Sequence, residues 1–356
     1  MNRDPILFRV DGTTQSGWER LARCLALAAA LQRRRRPTYF LSQLDPASLA
    51  MTIKRAGNDW LDADCVAGAE HDLSETLQEV RRVRAGAVVV DAANATEDYL
   101  AALQATGTLV VSLDHLATVR FPSQLVINPL LGPGRDAYSF DPGTQLLLGS
   151  RFALVRPEIR RARPARAQEP SQPFRAMVAL GDDDPNQQTA ELARLLLNAP
   201  KVERVDLIVR PQHPGLGALQ EMAAANSERL TVATEPAEVT ARVARSHFAI
   251  SAGGGWSLEL ACVGVPQLLI VQSESHWPTA QRLEEEGAAT CLGWHENVSA
   301  QTIRMAIQNL LGDPLERQAM SRCGRQLIDG RGPDRLVTAL EVMLHPSRRV
   351  ALSQAA

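Results

Sequence analysis

The chain has 356 residues, of which 45% are hydrophobic and 22% are charged, and its formal net charge is −2. This length exceeds that of an ordinary single domain and fits two, and the composition excludes a disordered chain. Because the charge is nearly balanced and only 4% of the residues are aromatic, we expect no nucleic-acid partner held by bulk charge or base stacking.

The cysteines and apolar runs indicate the environment of the protein. The five cysteines are an odd number without a Cys-x-x-Cys pair, so we expect neither a disulfide framework nor a zinc site. Residues 1–11 lack the apolar core of a secretory signal, and no apolar run reaches the roughly 18 residues of a membrane helix. We therefore expect no membrane span and a reducing, cytoplasmic location, with the oligomeric state left open.

Apolar runs alternate with amphipathic stretches in the first half of the chain. We predict strands at 6–10, 37–41, 87–90, 109–113, 124–128 and 145–149. We predict helices at 18–35, 46–56, 73–84 and 96–105. Since such alternation is typical of a parallel sheet with helices on both faces, we predict a Rossmann-like α/β domain over 1–156.

A proline-rich stretch over 157–174 is typical of a linker and divides the chain. The alternation then resumes, with strands predicted at 176–180, 205–209, 230–233, 248–251, 267–271 and 289–292. Helices are predicted at 186–197, 216–225, 237–244, 257–262, 279–286, 300–311, 315–327 and 333–344. We thus predict a second Rossmann-like domain over 175–344 and a tail over 345–356. The two domains are expected to face a cleft, with ligands at the carboxyl ends of strands.

Three consecutive glycines, Gly253 to Gly255, link a predicted strand to a helix. Glycines let the backbone approach a ligand, and the free amides at a helix N-terminus favour an anion such as a pyrophosphate. Glu259, one turn into the helix, is placed to accept hydrogen bonds from ribose hydroxyls. The alternative is a tight turn in which Glu259 is merely stabilised by the helix dipole.

The loop after the first strand carries the second group of charged residues. Arg23, on the following helix, is suited to bind a phosphate or sugar hydroxyl through its planar guanidinium. Alternatively, Arg9 and Asp11 form a structural ion pair and the helix arginines are solvated, which is the favoured interpretation for Arg20 alone.

Further polar residues follow other predicted strands. Asp91 and Asp114 are expected either to face the cleft or to cap loops, and His115 and His276 lie in loops at the same edge. The aspartates at 182–184 invite a metal hypothesis. No second ligand cluster accompanies them, so we expect a helix cap near Asn186, no metal and no cofactor.

Together these motifs resemble the UDP-sugar hydrolases of the pseudaminic acid pathway and the related spore-coat polysaccharide proteins, the PseG/SpsG family. The resemblance covers nearly the whole chain in order, at 8–12, 17, 23–28, 88–91, 113–114, 127–132, 152–158, 180–181, 184–186, 251–259, 264–266 and 329–332. Such proteins resemble the two-domain GT-B glycosyltransferases, including the lipid II-forming transferase.

The resemblance implies an N-terminal sugar or acceptor domain, a C-terminal nucleotide-binding domain and a UDP-sugar substrate. It implies that the glycine loop holds the diphosphate and the acidic residue the ribose. The implied substrate-binding residues are Arg9, Arg20, Asp91, Asp114, Gly253, Gly254, Gly255, Trp256, Ser257, Glu259, Ser275 and His276.

The catalytic loop departs from the family pattern, Gly-x-Gly-His-x-x-Arg. Here Glu19 replaces the second glycine and Arg20 replaces the histidine that is thought to assist water. Arginine stays protonated and cannot serve as a base. We predict Asp11, Glu19 and Arg23 as the catalytic residues, with Asp11 or Glu19 as the replacement base and His276 as a weaker candidate.

Four functions remain open from the sequence. The first is a hydrolase of bacterial surface glycan biosynthesis that cleaves the bond from anomeric carbon to diphosphate, similar to a UDP-diacetamido-trideoxy-altropyranose hydrolase. The second is a GT-B glycosyltransferase that uses an acceptor hydroxyl. The third is an inactive nucleotide-sugar-binding homologue. The fourth and weakest is a metal-dependent phosphohydrolase built on the aspartates at 182–184.

Overall fold

A computed structural model of the chain describes residues 3–13, 17–181, 184, 188–234 and 236–345. The predictions for Asp182, Asp183, Asn186 and the tail from residue 346 lie outside these residues. The described residues form two compact units. The first unit runs to Leu154 and resumes at Arg331, and the second unit is Val155–Gly330.

The first unit contains a seven-stranded parallel sheet in the order β3-β2-β1-β4-β5-β7-β9, with β6 and β8 forming a separate parallel pair. Its strands are β1 (Ile6–Val10), β2 (Thr38–Ser42), β3 (Asp59–Asp62), β4 (Ala87–Asp91), β5 (Leu109–Leu113), β6 (Arg120–Phe121), β7 (Leu125–Asn128), β8 (Ser139–Phe140) and β9 (Gln145–Leu148). Its first helices are α1 (Trp18–Arg33), α2 (Leu49–Arg55), α3 (Asp72–Val83) and α4 (Glu97–Gln104).

Both faces of this sheet are covered, as the apolar strands predict. Ile6 and Phe8 of β1 belong to one hydrophobic core, and Leu7 belongs to the core on the opposite face. Strand β3 was not predicted, because this short edge strand has polar ends and is only partly buried.

The second unit contains a six-stranded parallel sheet in the order β12-β11-β10-β13-β14-β15. Its strands are β10 (Phe174–Ala179), β11 (Val202–Ile208), β12 (Leu230–Ala233), β13 (Phe248–Ser251), β14 (Gln267–Val271) and β15 (Thr290–Trp294). Its helices are α5 (Pro157–Ala162), α6 (Gln188–Leu197), α7 (Leu216–Ala225), α8 (Pro236–Arg245), α9 (Gly255–Val263), α10 (Trp277–Glu285), α11 (Ala300–Gly312) and α12 (Pro314–Leu327).

The stretch expected to be a linker is instead a packed part of the second unit. Residues 157–162 form helix α5, whose Ile159 is 1% exposed. Arg166 is 2% exposed and donates to the Ser246 carbonyl, and burial lowers its pKa to about 10. Prolines and arginines thus misled the sequence interpretation, because proline starts this helix and the arginines hydrogen-bond to carbonyls.

The last helix, α13 (Gly332–Leu344), belongs to the first unit rather than to the predicted C-terminal domain. Its buried Leu336 and Leu340 join the core that contains Leu27 and Leu31 of α1. An apolar face shows that a helix packs against a core but not which of the two sheets it covers. The sequence alone therefore could not assign α13 to a unit. Among the described residues, no helix is both long and apolar enough to cross a membrane.

Candidate functional site

The glycine loop lies at the carboxyl end of β13 in the second unit. Strand β10 pairs with β11 on one side and with β13 on the other, so the loop follows a strand at the topological switch point of the sheet. Ligands of open α/β sheets bind at such points. The fold therefore places the strongest sequence motif where a ligand is expected.

Two of the three glycines are required by close packing. Gly253 has a φ of +83°, and a Cβ there would lie 2.9 Å from the Cβ of Ala280. A Cβ on Gly254 would lie 2.7 Å from Nε2 of His276. Helix α9 begins at the next residue, and among the described side chains none caps it. Its first amides therefore offer the positive end of the helix dipole to an anion.

Ser257 supports the loop from inside and has no surface for a substrate. It is 0% exposed, and its hydroxyl accepts from the Gly253 amide at 2.9 Å and donates to Ser251 Oγ at 3.0 Å. Ser251 in turn donates to Gln267 Oε1 at 2.8 Å, and Gln267 Nε2 donates to the Ser257 carbonyl. This buried network corrects the prediction that Ser257 binds substrate.

The proposed ribose acceptor, Glu259, is buried and already paired. It is 5% exposed and accepts from the backbone amide of Arg156 at 3.0 Å. The Arg156 guanidinium donates to both of its carboxylate oxygens and stacks 4.5 Å from the Trp256 ring. No local sequence pattern reveals this pair, because Arg156 lies 103 residues earlier.

Ser275 and His276 lie in a short 3-10 turn, Glu274–His276, that follows β14. The His276 ring is 5% exposed and lies against the glycine loop at Gly254. Ser275 exchanges a hydrogen bond with Ser273 at 2.9 Å. The structure thus brings His276 to the predicted site, as a side chain that shapes the loop.

In the first unit, Arg9 is fully buried within β1 and forms the structural ion pair that was the alternative interpretation. Its guanidinium donates to Asp11 and to Asp72, each at 2.6 Å, and to the carbonyls of Leu41 and Cys65. At 0% exposure Arg9 has no surface to offer a sugar. Its predicted role in substrate binding is therefore wrong in this structure, and Asp72 is the partner that the sequence did not reveal.

Asp11 is also hydrogen-bonded inside the protein. Besides Arg9, it accepts from the Gln43 amide at 2.9 Å and from the Ala67 amide at 2.7 Å, and it is 2% exposed. A general base must reach the proton that it removes. Since both oxygens of Asp11 are used inside the protein, the structure argues against Asp11 as the replacement base.

Arg20, Arg23 and Asp91 are brought together at the carboxyl ends of β1 and β4. Asp91 is 1% exposed and accepts from Arg23 at 2.5 and 2.6 Å and from Arg20 at 3.1 Å. Burial opposes the charge on Asp91, but the two guanidinium groups outweigh burial and lower its pKa. Burial also opposes the charge on Arg23, and Asp91 reverses this and raises the Arg23 pKa. Arg20 is thus an ion-pair residue rather than a solvated one.

His115 and Asp114 border this cluster. Arg23 Nη1 lies 3.3 Å from His115 Nδ1. A guanidinium nitrogen always donates, so this contact assigns the lone pair to Nδ1 and, in the neutral ring, the proton to Nε2. Asp114 caps its own loop by accepting from the amides of Leu116 and Ala117, and burial raises its pKa. Glu19 is a half-buried carboxylate on the first turn of α1, close enough to Arg23 to affect its pKa.

Asp184 is a helix cap. Its carboxylate accepts from the amides of Gln188 and Thr189 at the start of α6 and lies 3.1 Å from His213 Nε2. Burial opposes its charge, but these hydrogen bonds prevail and lower its pKa. Asp184 therefore hydrogen-bonds the start of α6, while the cap expected near Asn186 lies outside the described residues. Within the described ranges, no group of three or more metal-ligating side chains is found.

Comparison with known sequences places the chain near one relative. It is 24% identical over 221 residues to the spore coat polysaccharide biosynthesis protein SpsG of Bacillus subtilis (strain 168). The match covers 62% of this chain and 65% of SpsG, which is less than two thirds of that relative's length. No protein-family model matches the chain. The predicted resemblance to the spore-coat polysaccharide proteins is confirmed.

Solved structures identify the fold. MurG of Acinetobacter baumannii matches with a TM-score of 0.65 and 14% identity over 95% of this chain and 99% of MurG. The spinosyn rhamnosyltransferase SpnG, complexed with thymidine diphosphate, matches with a TM-score of 0.60 and 16% identity over 95% of this chain and 100% of SpnG. The chain therefore has the predicted α/β fold with two parallel-sheet domains, the fold of the GT-B glycosyltransferases.

Proposed function

We propose that this protein uses a nucleotide sugar, preferentially a UDP-sugar, in bacterial surface glycan biosynthesis, and acts at the anomeric carbon. The observation that carries the proposal is the start of α9, which no side chain in the described part of the chain caps, with its glycine loop at the topological switch point of the second unit. The similarity to SpsG supports the pathway class. SpnG was solved with thymidine diphosphate, which supports a pyrimidine nucleoside diphosphate as the ligand class.

In the proposed reaction, the bond between the anomeric carbon and the diphosphate oxygen breaks and the electron pair leaves with the diphosphate. The oxygen of water or of an acceptor hydroxyl forms the new bond and loses its proton. The α9 amides stabilise the charge that develops on the diphosphate. The proposed ligands are Gly253, Gly254, Gly255 and Trp256 for the diphosphate and Glu259 for the ribose.

The proton acceptor is proposed to be Glu19. Asp11 has both oxygens occupied, and the lowered pKa of Asp91 makes that group a poor base. Glu19 lies on the first turn of α1, at one of the two positions that depart from the family pattern, and its carboxylate is partly exposed. Arg20 and Arg23 are proposed to orient the sugar while they hold Asp91.

A transferase is the second candidate, and Arg20 is the observation that favours it. The position that holds the water-assisting histidine in the resembling hydrolases holds a guanidinium that donates to Asp91. The imidazole that assists water in the resembling hydrolases is thus missing at this position, whereas a bound acceptor hydroxyl can be oriented for deprotonation by groups of its own binding site. A binding protein without turnover is the third candidate, with the same nucleotide site.

The decisive experiment incubates the purified protein with UDP-, TDP- and CMP-sugars, with and without candidate acceptors, and identifies products by mass spectrometry. Free sugar and UDP without an acceptor would identify a hydrolase, and products only with an acceptor a transferase. Calorimetric binding of UDP without turnover would identify a binding protein. If no nucleotide or nucleotide sugar binds, the proposed function is wrong.

Arg20→His tests the altered loop directly. The substitution restores a titratable base, and a positioned base contributes about 10²-fold or more to rate. We expect free-sugar release from the UDP-sugar to rise by about that factor. The matched control is Arg33→His, at the other end of α1 and exposed, which should leave release unchanged. Equal rates for wild type and Arg20→His would show that Arg20 does not limit hydrolysis.

A further inference from the structure

Arg156 makes an unusually complete contact with Glu259. Oε1 of Glu259 accepts from the Arg156 amide at 3.0 Å and from Nε at 2.8 Å. Oε2 accepts from Nη2 at 2.5 Å and shares the Nε proton at 3.1 Å. Both carboxylate oxygens are therefore fixed by one residue, through its backbone and its side chain.

The guanidinium is held in place by more than the carboxylate. Its other anchor is the Trp256 ring, 4.5 Å from Cζ, on the first turn of the helix that carries Glu259. The Arg156 carbonyl accepts from the Arg160 amide at 3.0 Å, which fixes the Arg156 backbone to helix α5. The pair thus joins helix α9 to the residue that precedes helix α5, and both partners are fixed by further contacts.

This pairing has two chemical consequences. A carboxylate at 5% exposure would be poorly tolerated without a partner, and the guanidinium supplies that partner. A carboxylate has roughly four acceptor sites, and the four contacts of Arg156 reach all of them, with the Nε proton shared between the two oxygens. A ligand hydroxyl therefore gains an acceptor site by replacing the longer arm of this shared bond, Nε to Oε2 at 3.1 Å.

We propose that Arg156 is a positioning residue that orients Glu259 to accept one ribose hydroxyl of the nucleotide, and so sets selection for ribose. The inference rests on the proposed function, because it assumes a nucleoside diphosphate at the glycine loop. It goes further in assigning selectivity to Arg156, the residue just before the stretch that was predicted as a linker. Arginine is suited to this role, since its planar fork fixes both carboxylate oxygens, whereas lysine provides a point charge.

The test measures affinities of the full chain for UDP, 2′-deoxy-UDP and 3′-deoxy-UDP by calorimetry. We expect wild type to bind one deoxy analogue about tenfold more weakly than UDP, the size of a charge-assisted hydrogen bond. Arg156→Lys keeps the buried charge and is expected to reduce that difference to threefold or less. Its affinity for the disfavoured analogue should equal that of wild type.

Matched variants separate positioning from folding. Arg161 is exposed on helix α5, and Arg161→Ala should keep the tenfold difference in affinity between UDP and the disfavoured analogue. Glu259→Gln should lose that difference. Arg156→Lys combined with Glu259→Gln should lose no more than Glu259→Gln alone, because both changes remove one interaction. Thermal unfolding of each variant reports whether the fold is retained.

Three results would overturn the inference while the proposed function stands. The first is Arg156→Lys with the wild-type difference between UDP and its deoxy analogues, and the second is Arg156→Lys that binds UDP more tightly than wild type. The second result would mean that Arg156 competes with the ribose for Glu259. Wild-type protein that binds UDP but discriminates against neither analogue also overturns it. Protein that binds no nucleoside diphosphate overturns the proposed function, and this inference with it.

Discussion

The switch-point edges of the two sheets are alike in topology and opposite in chemistry. In the first unit, the edge after β1 and β4 carries charged side chains that neutralise one another, with two arginines on Asp91. In the second unit, the edge after β13 carries backbone amides at a helix start that no described side chain caps. The second edge is therefore the one that we propose for an anion, whereas at the first edge the charged side chains pair with one another.

The interiors of the two units, below these edges, differ in the same way. In the first unit, the middle of strand β1 carries a fully buried arginine, Arg9, that ties Asp11 and Asp72 to the sheet. In the second unit, the interior below the glycine loop is tied by neutral groups, through Ser257 and Gln267. Buried ions are destabilising once a partner is lost, so removing a charge from the Arg9 network should destabilise the protein more than removing a hydrogen bond from the Ser257 network.

The largest expected effect is on stability, and it follows from removing the carboxylate that pairs with Arg20 and Arg23. Asp91→Asn removes the carboxylate and leaves the two arginines without their counter-ion. Since breaking a buried pair by removing one partner costs about 3–5 kcal/mol, we expect the free energy of unfolding to fall by about that much. Urea denaturation measures it. The control is Glu79→Gln, whose partner Arg82 is 52% exposed, with an expected change below about 1 kcal/mol.

The pH dependence gives a second check on Asp91. Its pKa is lowered in the folded protein, so its contribution is complete above the unfolded value of about 3.9 and is lost as the pH falls through the lower folded value. The stability difference between wild type and Asp91→Asn should therefore be constant from about pH 7 to 5 and shrink below about pH 4. A difference that already shrinks at neutral pH would contradict this assignment.

How much of this contrast was predictable depends on the range of the interactions. The glycine loop was visible in the sequence because its strand, turn and helix are contiguous. Arg23 and Asp91 could be placed together because parallel strands end at one edge. The partners Asp72 and Arg156 could not, since each contacts a residue 63 or 103 positions away and no local pattern records such pairs. For the same reason, α13 was assigned to the wrong unit.

The next largest effect is expected from adding a side chain to the glycine loop of the second unit. Gly254→Ala would place a Cβ 2.7 Å from Nε2 of His276, so the ring or the loop has to shift. Because the α9 amides must keep their geometry to hold a diphosphate, we expect UDP affinity to fall about tenfold or more. Calorimetry measures this change.

A double-mutant cycle identifies the cause. If the clash is responsible, His276→Ala should relieve it, and Gly254→Ala in that background should lose much less affinity than in wild type. Gly217→Ala is the matched glycine control, since a Cβ there meets nothing within 4 Å. It should leave UDP affinity unchanged and stabilise α7 by about 0.5–1 kcal/mol. Equal losses in both backgrounds would mean that His276 is not the obstacle.

The smallest expected effect concerns a neutral group that ties the second unit together. His247 Nδ1 accepts from the Arg175 amide at 3.0 Å, and Nε2 lies 2.9 Å from the Pro170 carbonyl, which defines a neutral ring with its proton on Nε2. Burial lowers its pKa. Its contribution to stability is therefore complete above the unfolded pKa of about 6.5 and is lost as the pH falls below that value.

His247→Asn should cost about 1 kcal/mol at pH 8 and less at pH 5, measured by urea denaturation. The exposed His71→Asn should change neither value. If instead His247→Asn costs more at pH 5 than at pH 8, the ring is charged in the folded protein, and this contact is ionic rather than neutral.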